Sequence, residues 1–333
     1  MKTYKKMFLL LLFFISFFSC KKDPLVQCVS PDCQEDCLPY EVSEMNICFP
    51  SISGIDGVCD FVAYNDTVNL WGQVFNPNNS DEILILKNSI FTHNNSVRVC
   101  CKKMIFYNHK QNIKLKEIEF DYDKFPFMQA SWSKKNEIIF STLEGQIYKL
   151  NVDNNVVEFL LEGDNPIWNF TGDKFVFRNY KDVFIANKDG QVLDTLPLAS
   201  SFFISDWSGG NNILIDWYLY NYDSKEVTDI SPSFPSYIVY PWRKFGRVDS
   251  EIITIDSEDG LGTYNSQKRQ FSLLKPNCSG KYFTSTVSVS SDKRYIATIV
   301  RKWRPVESTK FMMYSQLRIL DINGNELKTI ENI

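Results

Sequence analysis

The stretches WSKKNEIIF (132–140), WNFTGDKFVF (168–177) and WSGGNNILI (207–215) decide the fold. Each sets a tryptophan, a polar turn and an apolar strand in the same order. A fourth tryptophan opens WRKFGRVDSEIITI (242–255), so Trp132, Trp168, Trp207 and Trp242 hold one slot at intervals of 36, 39 and 35 residues. FNPNNSDEILIL (75–86) and VSSDKRYIATI (289–299) keep the turn and strand with Phe75 and Val289 in the slot. Each element precedes a second apolar run that closes on an Asn, Asp or Gly hairpin, as in IYKLNVDNNVVEFL (147–160), VFIANKDGQVLDTL (183–196) and LRILDINGNELKTI (317–330). Internal repetition of this kind is the mark of a repeat architecture. Short β-branched and aromatic runs, broken by turn residues every eight to twelve positions, belong to an all-β sandwich, barrel or propeller. Helical periodicity is nearly absent, and IKLKEIEF (113–120) alternates with period two.

The six units resemble the WD40-like repeat of TolB-type β-propellers, whose motif is a tryptophan or apolar residue, then Ser-Pro-Asp-Gly, then an apolar strand. The resemblance spans residues 58–333. No unit keeps the whole box; Ser290, Ser291 and Asp292 in the last unit and Thr171, Gly172 and Asp173 in the third come nearest. The fold it implies is all-β, a six-bladed β-propeller, with a seventh degenerate blade inside residues 45–70 as the alternative. Radial stacking covers both faces of each four-stranded blade, which no blade can do alone. A strand near residues 60–70 is expected to complete the last blade and close the ring. A tryptophan demanded by every repeat is expected to pack between blades. Residues 87–103 and 301–315 read as insertions in the first and last units, which become neighbours in a closed ring.

The chain begins with Lys2, Lys5 and Lys6, an apolar run over residues 7–18, Ser19 and Cys20. That order is a secretory signal, and twelve apolar residues are too few to span the roughly 20 that a bilayer requires. FFSC resembles the lipobox of bacterial lipoproteins, which implies cleavage before Cys20 and acylation of its thiol and new amine. The expected organisation is a signal peptide over residues 1–19, a lipidated, cysteine-rich tether over 20–53, and a propeller over 54–333. Lys21, in place of an inner-membrane-retaining aspartate, directs the expectation to the outer membrane, facing the periplasm or the surface. Cleavage leaves 33 Lys and Arg against 40 Asp and Glu, a net charge of −7. Phosphate binding needs concentrated Lys and Arg, so nucleic acid is not an expected partner.

Besides Cys20 the chain holds Cys28, Cys33, Cys37, Cys48, Cys59, Cys100, Cys101 and Cys278. In an oxidising compartment these are disulfide candidates. Five lie in the N-terminal segment and three in the body, so complete pairing needs at least one bond between them. The spacing of Cys28, Cys33 and Cys37 is not C-x-x-C and no histidine is near, so no metal site is expected.

His93 and His109 are the only histidines, and neither stands in a triad or ligand spacing. The loop DSEDG (256–260) lacks the full calcium pattern and reads as a solvated hairpin. Asp121 and Asp123 could serve glycoside chemistry, a role that surface strands rarely give such pairs. No cofactor is expected. Trp303, Arg304, Phe311, Met312, Met313 and Tyr314 make the last insertion an aromatic, methionine-rich candidate binding surface; packing of the cysteine-rich segment onto the body is the equal alternative. The expected function is therefore a lipid-anchored envelope module that binds or scaffolds a protein or glycan partner. The rival is a glycan-active enzyme with carboxylates converging at the channel mouth. For the anchor the check is metabolic labelling: a radioactive fatty acid should mark the wild-type chain and leave Cys20→Ser unlabelled, and label retained by the variant would refute lipidation.

Overall fold

The computed structural model describes residues 67–93, 96–120, 127–142, 144–198, 204–207, 210–215, 218–229, 245–247, 252–257, 260–265, 268, 270–276, 282–307 and 310–330. These form six four-stranded antiparallel sheets, each built from four consecutive strands. Sheet 1 is β1 (Thr67–Asn76), β2 (Asn79–His93), β3 (Ser96–Asn108) and β4 (Ile113–Phe120). Sheet 2 is β5 (Phe127–Trp132), β6 (Glu137–Thr142), β7 (Gln146–Asn151) and β8 (Val157–Glu162). Sheet 3 is β9 (Asp164–Trp168), β10 (Lys174–Asn179), β11 (Asp182–Asn187) and β12 (Val192–Thr195). Sheet 4 is β13 (Ile204–Asp206), β14 (Asn212–Ile215), β15 (Tyr218–Asn221) and β16 (Val227–Asp229). Sheet 5 is β17 (Phe245–Arg247), β18 (Ile252–Ser257), β19 (Gly260–Asn265) and β20 (Gln270–Pro276). Sheet 6 is β21 (Tyr282–Val289), β22 (Tyr295–Glu307), β23 (Lys310–Asp321) and β24 (Glu326–Ile330). The first strand of each sheet meets the first strand of the next, and β1 meets β21, so the sheets close a β-propeller ring around their innermost strands.

The tryptophan slot explains the joints. Trp132 ends β5 and is buried among Leu84, Leu86, Met104 and Phe106 of sheet 1. Trp168 ends β9 against Ile139 and Ile147 of sheet 2, and Trp207 follows β13 against Ile167, Val176 and Ile185 of sheet 3. In each of these three joints the slot residue packs on the preceding sheet. Phe75 obeys the same rule, because it is buried in one cluster with Ala297, Ile299, Leu317 and Ile319 of sheet 6. Each such side chain is worth about 1.5–3 kcal/mol of burial, so the ring is held by repeated apolar joints between sheets that share no strand.

The hairpins repeat with equal regularity. In all six sheets the third strand ends on Asn or Asp: Asn108, Asn151, Asn187, Asn221, Asn265 and Asp321. Its carboxamide or carboxylate oxygen accepts turn N–H groups, as Asn221 Oδ1 does from Asp223 at 3.0 Å and Ser224 at 2.9 Å, and Asp321 Oδ1 from Asn323 and Asn325 at 2.9 Å each. Asx side chains substitute for backbone acceptors in this way and fix the turn. Gly324 completes the last of these turns at φ 87°, and a Cβ there would lie 2.9 Å from Leu274 Cβ in sheet 5.

Of the strand expected near residues 60–70 to complete the last blade, residues 67–70 begin β1, which pairs with β2 from Thr67↔Ile90 to Asn76↔Asn79, while sheet 6 holds four strands of its own, β21–β24. Residues 60–66 of that strand, residues 54–66 at the expected start of the body, residues 45–66 of the seventh-blade alternative over 45–70, and Trp242 lie outside the described residues.

Side chains do the closing instead. Gln73 Nε2 donates to Thr286 O at 3.2 Å and to Ala297 O at 2.9 Å, while Thr286 Oγ1 donates to Gln73 Oε1. Phe75 N donates to Ser288 Oγ at 3.3 Å. An ordinary joint has the same bond: Trp168 N donates to Ser131 Oγ at 3.0 Å, and Ser131 and Ser288 each immediately precede a slot residue. Thr286 O keeps a second donor in Thr298 Oγ1 at 3.0 Å, so removing Gln73 costs its own three bonds, about 0.5–1.5 kcal/mol each. Gln73→Leu should therefore destabilise the fold by about 2–3 kcal/mol, and hydrogen exchange should rise first in β1 and β21; a change spread evenly over all six sheets would refute a special role for this joint.

A candidate binding face where the ring closes

Sheets 1 and 6 differ from the rest in the length of their middle strands. β2, β3, β22 and β23 have 15, 13, 13 and 12 residues. The second and third strands of the other sheets have 6 or 4. The segments expected as inserted loops are thus continuations of the ladder. In sheet 1 the pairing runs on through Phe91↔Arg98 to His93↔Ser96, beyond Thr67 of β1 and Phe120 of β4. In sheet 6 it runs from Trp303↔Met313 through Arg304↔Met312 and Pro305↔Phe311 to Glu307↔Lys310, beyond Tyr282 of β21 and Ile330 of β24. Among the described residues both are two-stranded ribbons joining the second strand to the third. The six sheets repeat one meander, so both ribbons leave the ring on the same face, from neighbouring sheets.

The register brings the predicted surface residues together. Trp303 and Arg304 lie in β22; Phe311, Met312, Met313 and Tyr314 lie in β23. Tyr314 pairs with Lys302, Met313 with Trp303, and Met312 with Arg304. The register thus sets aromatic, methionine and cationic residues at successive paired positions of one ribbon. Cys100 and Cys101 lie in β3 at the base of the other ribbon, Cys100 opposite Ser89. Cys20, Cys28, Cys33, Cys37, Cys48, Cys59 and Cys278, with Asp121 and Asp123, lie outside the described residues. The DSEDG stretch forms a tight hairpin, Ser257 pairing with Gly260.

At the opposite end of β3 from its ribbon lies a residue that no sequence motif singles out. His109 follows β3 and is 5% exposed. Its Nε2 lies 3.0 Å from Ser80 O, a carbonyl that fixes Nε2 as the protonated nitrogen of the neutral ring. Tyr295 of sheet 6 meets the imidazole edge-on at 4.9 Å and Phe75 does so at 5.9 Å. Lys328 Nζ donates to His109 O at 3.0 Å. Burial holds the imidazole pKa below its ordinary 6.5, outweighing the Ser80 bond and the charge of Asp81, which work to raise it; Lys328 and Lys110 lower it further. Glu117 on β4 answers the lysines at the base of the first ribbon: hydrogen bonds from Lys103 and Lys114, 2.6 Å each, lower its pKa to about 2. Burial, then the neighbouring Lys103, lowers the pKa of Lys87.

The inner strands carry polar side chains, among them Gln129, Asp164 and Asp206. Gln129 Nε2 reaches from sheet 2 to Ile204 O of sheet 4 at 3.4 Å. Asp164 on β9 is bound by Arg178 through two bonds of 2.7 and 2.6 Å. Among the described residues no three His, Cys, Asp or Glu side chains gather as a metal site would require. No helix among them is long and apolar enough to cross a membrane.

No family model matches the sequence, nor does any curated protein. Several solved structures are similar in fold. A protein described as a TolB from Agrobacterium tumefaciens aligns with a TM-score of 0.48 and 10% identity over 65% of this chain and 85% of its own. The propeller domain of the Trilobed protease from Pyrococcus furiosus gives 0.48 and 13% over 80% and 99%. The WD40 repeats of RRP9 give 0.45 and 10% over 70% and 89%. The chain is thus similar to TolB-like and WD40-like propellers in architecture, and its own joints carry the description.

The position of His109 makes acid sensitivity a property of the closure. As pH falls below about 6.5 the unfolded chain binds a proton that the folded imidazole resists, so stability present above that pH is lost. The slope should approach about 1.4 kcal/mol per pH unit at most. Glu117 loses its contribution only as pH falls from about 4.5 toward 2, a separate window. Denaturant midpoints from pH 7.5 to 5 should fall for the wild type and stay nearly level for His109→Gln; equal slopes would refute the assignment.

Proposed function

We propose that this chain is an exported, lipid-anchored propeller of the cell envelope, its six sheets the blades of one closed ring, that acts as a binding or scaffolding module for a protein or glycan. The observation that supports this reading best is the pair of long ribbons on one face of the junction between sheets 1 and 6. A two-stranded hairpin is at best marginally stable in water on its own. Ribbons that run beyond the covering strands therefore gain stability from whatever they contact. The ribbon of sheet 6 is composed as interface cores are, with Trp, Tyr, Phe, Met and Arg concentrated over residues 303–314. The N-terminal signal and Cys20 support the envelope address, and Lys21 an outer-membrane destination.

A photo-activated cross-linker at Met312, compared with one at Val157 on the outer strand of sheet 2, separates this reading from general stickiness. In living cells Met312 should give a discrete adduct and Val157 none; adducts at both positions, or at neither, would count against the ribbon. An adduct that shrinks with protease marks a protein partner, and one cleaved only by periodate marks a glycan. Trp303→Ala and Tyr314→Ala should each weaken the Met312 adduct about tenfold or more, the loss of one interface hot spot, without shifting the melting temperature.

A further inference from the structure

The joint between sheets 2 and 3 buries polar groups that no protein group meets. Gln129 pairs with Ser141, Ser141 with Ile147, and Ser131 with Ile139, so these side chains share the face of sheet 2 that packs on Trp168 and Phe175 of sheet 3. Glu137 lies on the same face, two residues before Ile139 on β6. On this face Gln129 Oε1, Ser141 Oγ and Glu137 Oε2 are buried without a hydrogen-bond partner, and so is Nε1 of Trp168 opposite them. Ser141 is fully buried, Trp168 is 3% exposed and Gln129 9%. Buried polar groups in native proteins nearly always have a partner in protein or in ordered water.

The repeat shows why the protein does not supply one. At the ring closure Thr286, three residues before the slot residue Val289, donates to the carboxamide of Gln73, which stands two residues before the slot residue Phe75 of the next sheet. Gln129 stands three residues before Trp132 and so takes the place of Thr286. Two residues before Trp168 stands Pro166, whose ring has no hydrogen-bonding group. Gln129 Nε2 turns instead to Ile204 O at 3.4 Å, and its Oε1 is left over. The indole follows the same logic. Trp132 Nε1 donates to Asn136 Oδ1 at 3.2 Å, four residues on. Four residues after Trp168 stands Gly172, at φ 70°, where a Cβ would lie 2.8 Å from Ser133 Cβ, too close for a side chain that could take up the indole N–H.

We propose that this joint binds ordered water at both of its ends, and that the water makes the hydrogen bonds that side chains make in the neighbouring joints. Gln129 and Ser141 form one site. Side chains directly opposed across an antiparallel pair start about 4.5–5.5 Å apart at Cβ, within the span of one bridging molecule. Trp168 ends β9 and Glu137 begins β6, so these two stand at the other end of the joint and form the second site. Water suits both, because the carboxamide and carboxylate oxygens only accept, the indole only donates and the serine hydroxyl does either. Internal waters are found at otherwise unsatisfied groups of this kind, and each makes about three hydrogen bonds.

Radiolysis by X-rays tests the site at Trp168 in the intact chain, because hydroxyl radicals form from bound water as well as from bulk water. Trp132 is the control, 6% exposed and with its N–H already bonded to Asn136. Mass spectrometry of the digested chain should find Trp168 oxidised several-fold faster than Trp132. Ser141→Ala tests the other end. If water bridges the hydroxyl to Gln129, its removal should lower the melting temperature by about 2 °C or more; a hydroxyl buried dry would give a rise. Equal oxidation of the two tryptophans, or a melting temperature that holds or rises in Ser141→Ala, overturns the proposal.

Discussion

The carboxamide of Gln73 binds two backbone carbonyls in the last sheet, 213 and 224 residues along the chain, and on that amide the first sheet meets the last. In a ring whose first and last blades share a strand, backbone hydrogen bonds do this work. Here each sheet is a complete meander of four consecutive strands, and the closing joint must be made from side chains. What makes it sufficient is that it copies the other joints. Phe75 takes the place of a slot tryptophan, Ser288 the place of Ser131, and the apolar faces of sheets 6 and 1 interlock around Leu70, Ile83, Ala297 and Leu317. Gln73, His109 and Lys328 add polar contacts to that scheme, and each depends on the apolar joint to exclude water from it.

The repeat was legible in the sequence because it is local. A slot residue, a turn and a strand lie within ten residues, and the Asn or Asp that heads each outer hairpin ends its strand by a bond to an amide two to four positions on. The serine before Trp132 and before Val289 was equally visible, yet its bond to the next blade cannot be read from one unit. The segments expected as inserted loops exceed the usual strand length, yet RKWRPVE and KFMMYSQ continue the ladder, with one register shift between Pro305 and Glu307. The pairing of β1 is settled by a different term. Nothing in residues 67–76 says whether their edge pairs forward with β2 or backward with β23; the short turn at 77–78 favours the forward hairpin at little loop entropy, and that term wins.

The candidate face was legible only in part. Its residue types, tryptophan, arginine, phenylalanine and methionine, stand out in a plain reading, and the register explains why they belong together. His109 did not stand out, because its importance comes from Tyr295 and Phe75, the first of them 186 residues away. The bond of Gln129 was equally hidden, since it meets Ile204 across a sheet that separates them in sequence. On the inner strand of sheet 3, Asp164 is tied to Arg178 of the next strand by two bonds, a pairing that their separation of 14 residues also hides.

Closure through side chains also sets a timetable. Synthesis delivers sheet 1 first and sheet 6 last, and every sheet between can settle on its predecessor as it emerges, at the small entropy of a short connection. Sheet 1 alone has its predecessor at the far end of the chain. Until β21–β24 arrive, the face bearing Leu70, Phe75, Ile83, Ile85, Ile105 and Tyr107 lacks the sheet 6 residues with which it forms one core cluster. The nascent ring is therefore an open arc with one adhesive end, whose lifetime is set by the time needed to complete the final sheet. That makes the first blade the segment most in need of a holding chaperone during biogenesis, an order that pulse-labelled hydrogen exchange would reveal as late protection of β1 compared with β5 and β9.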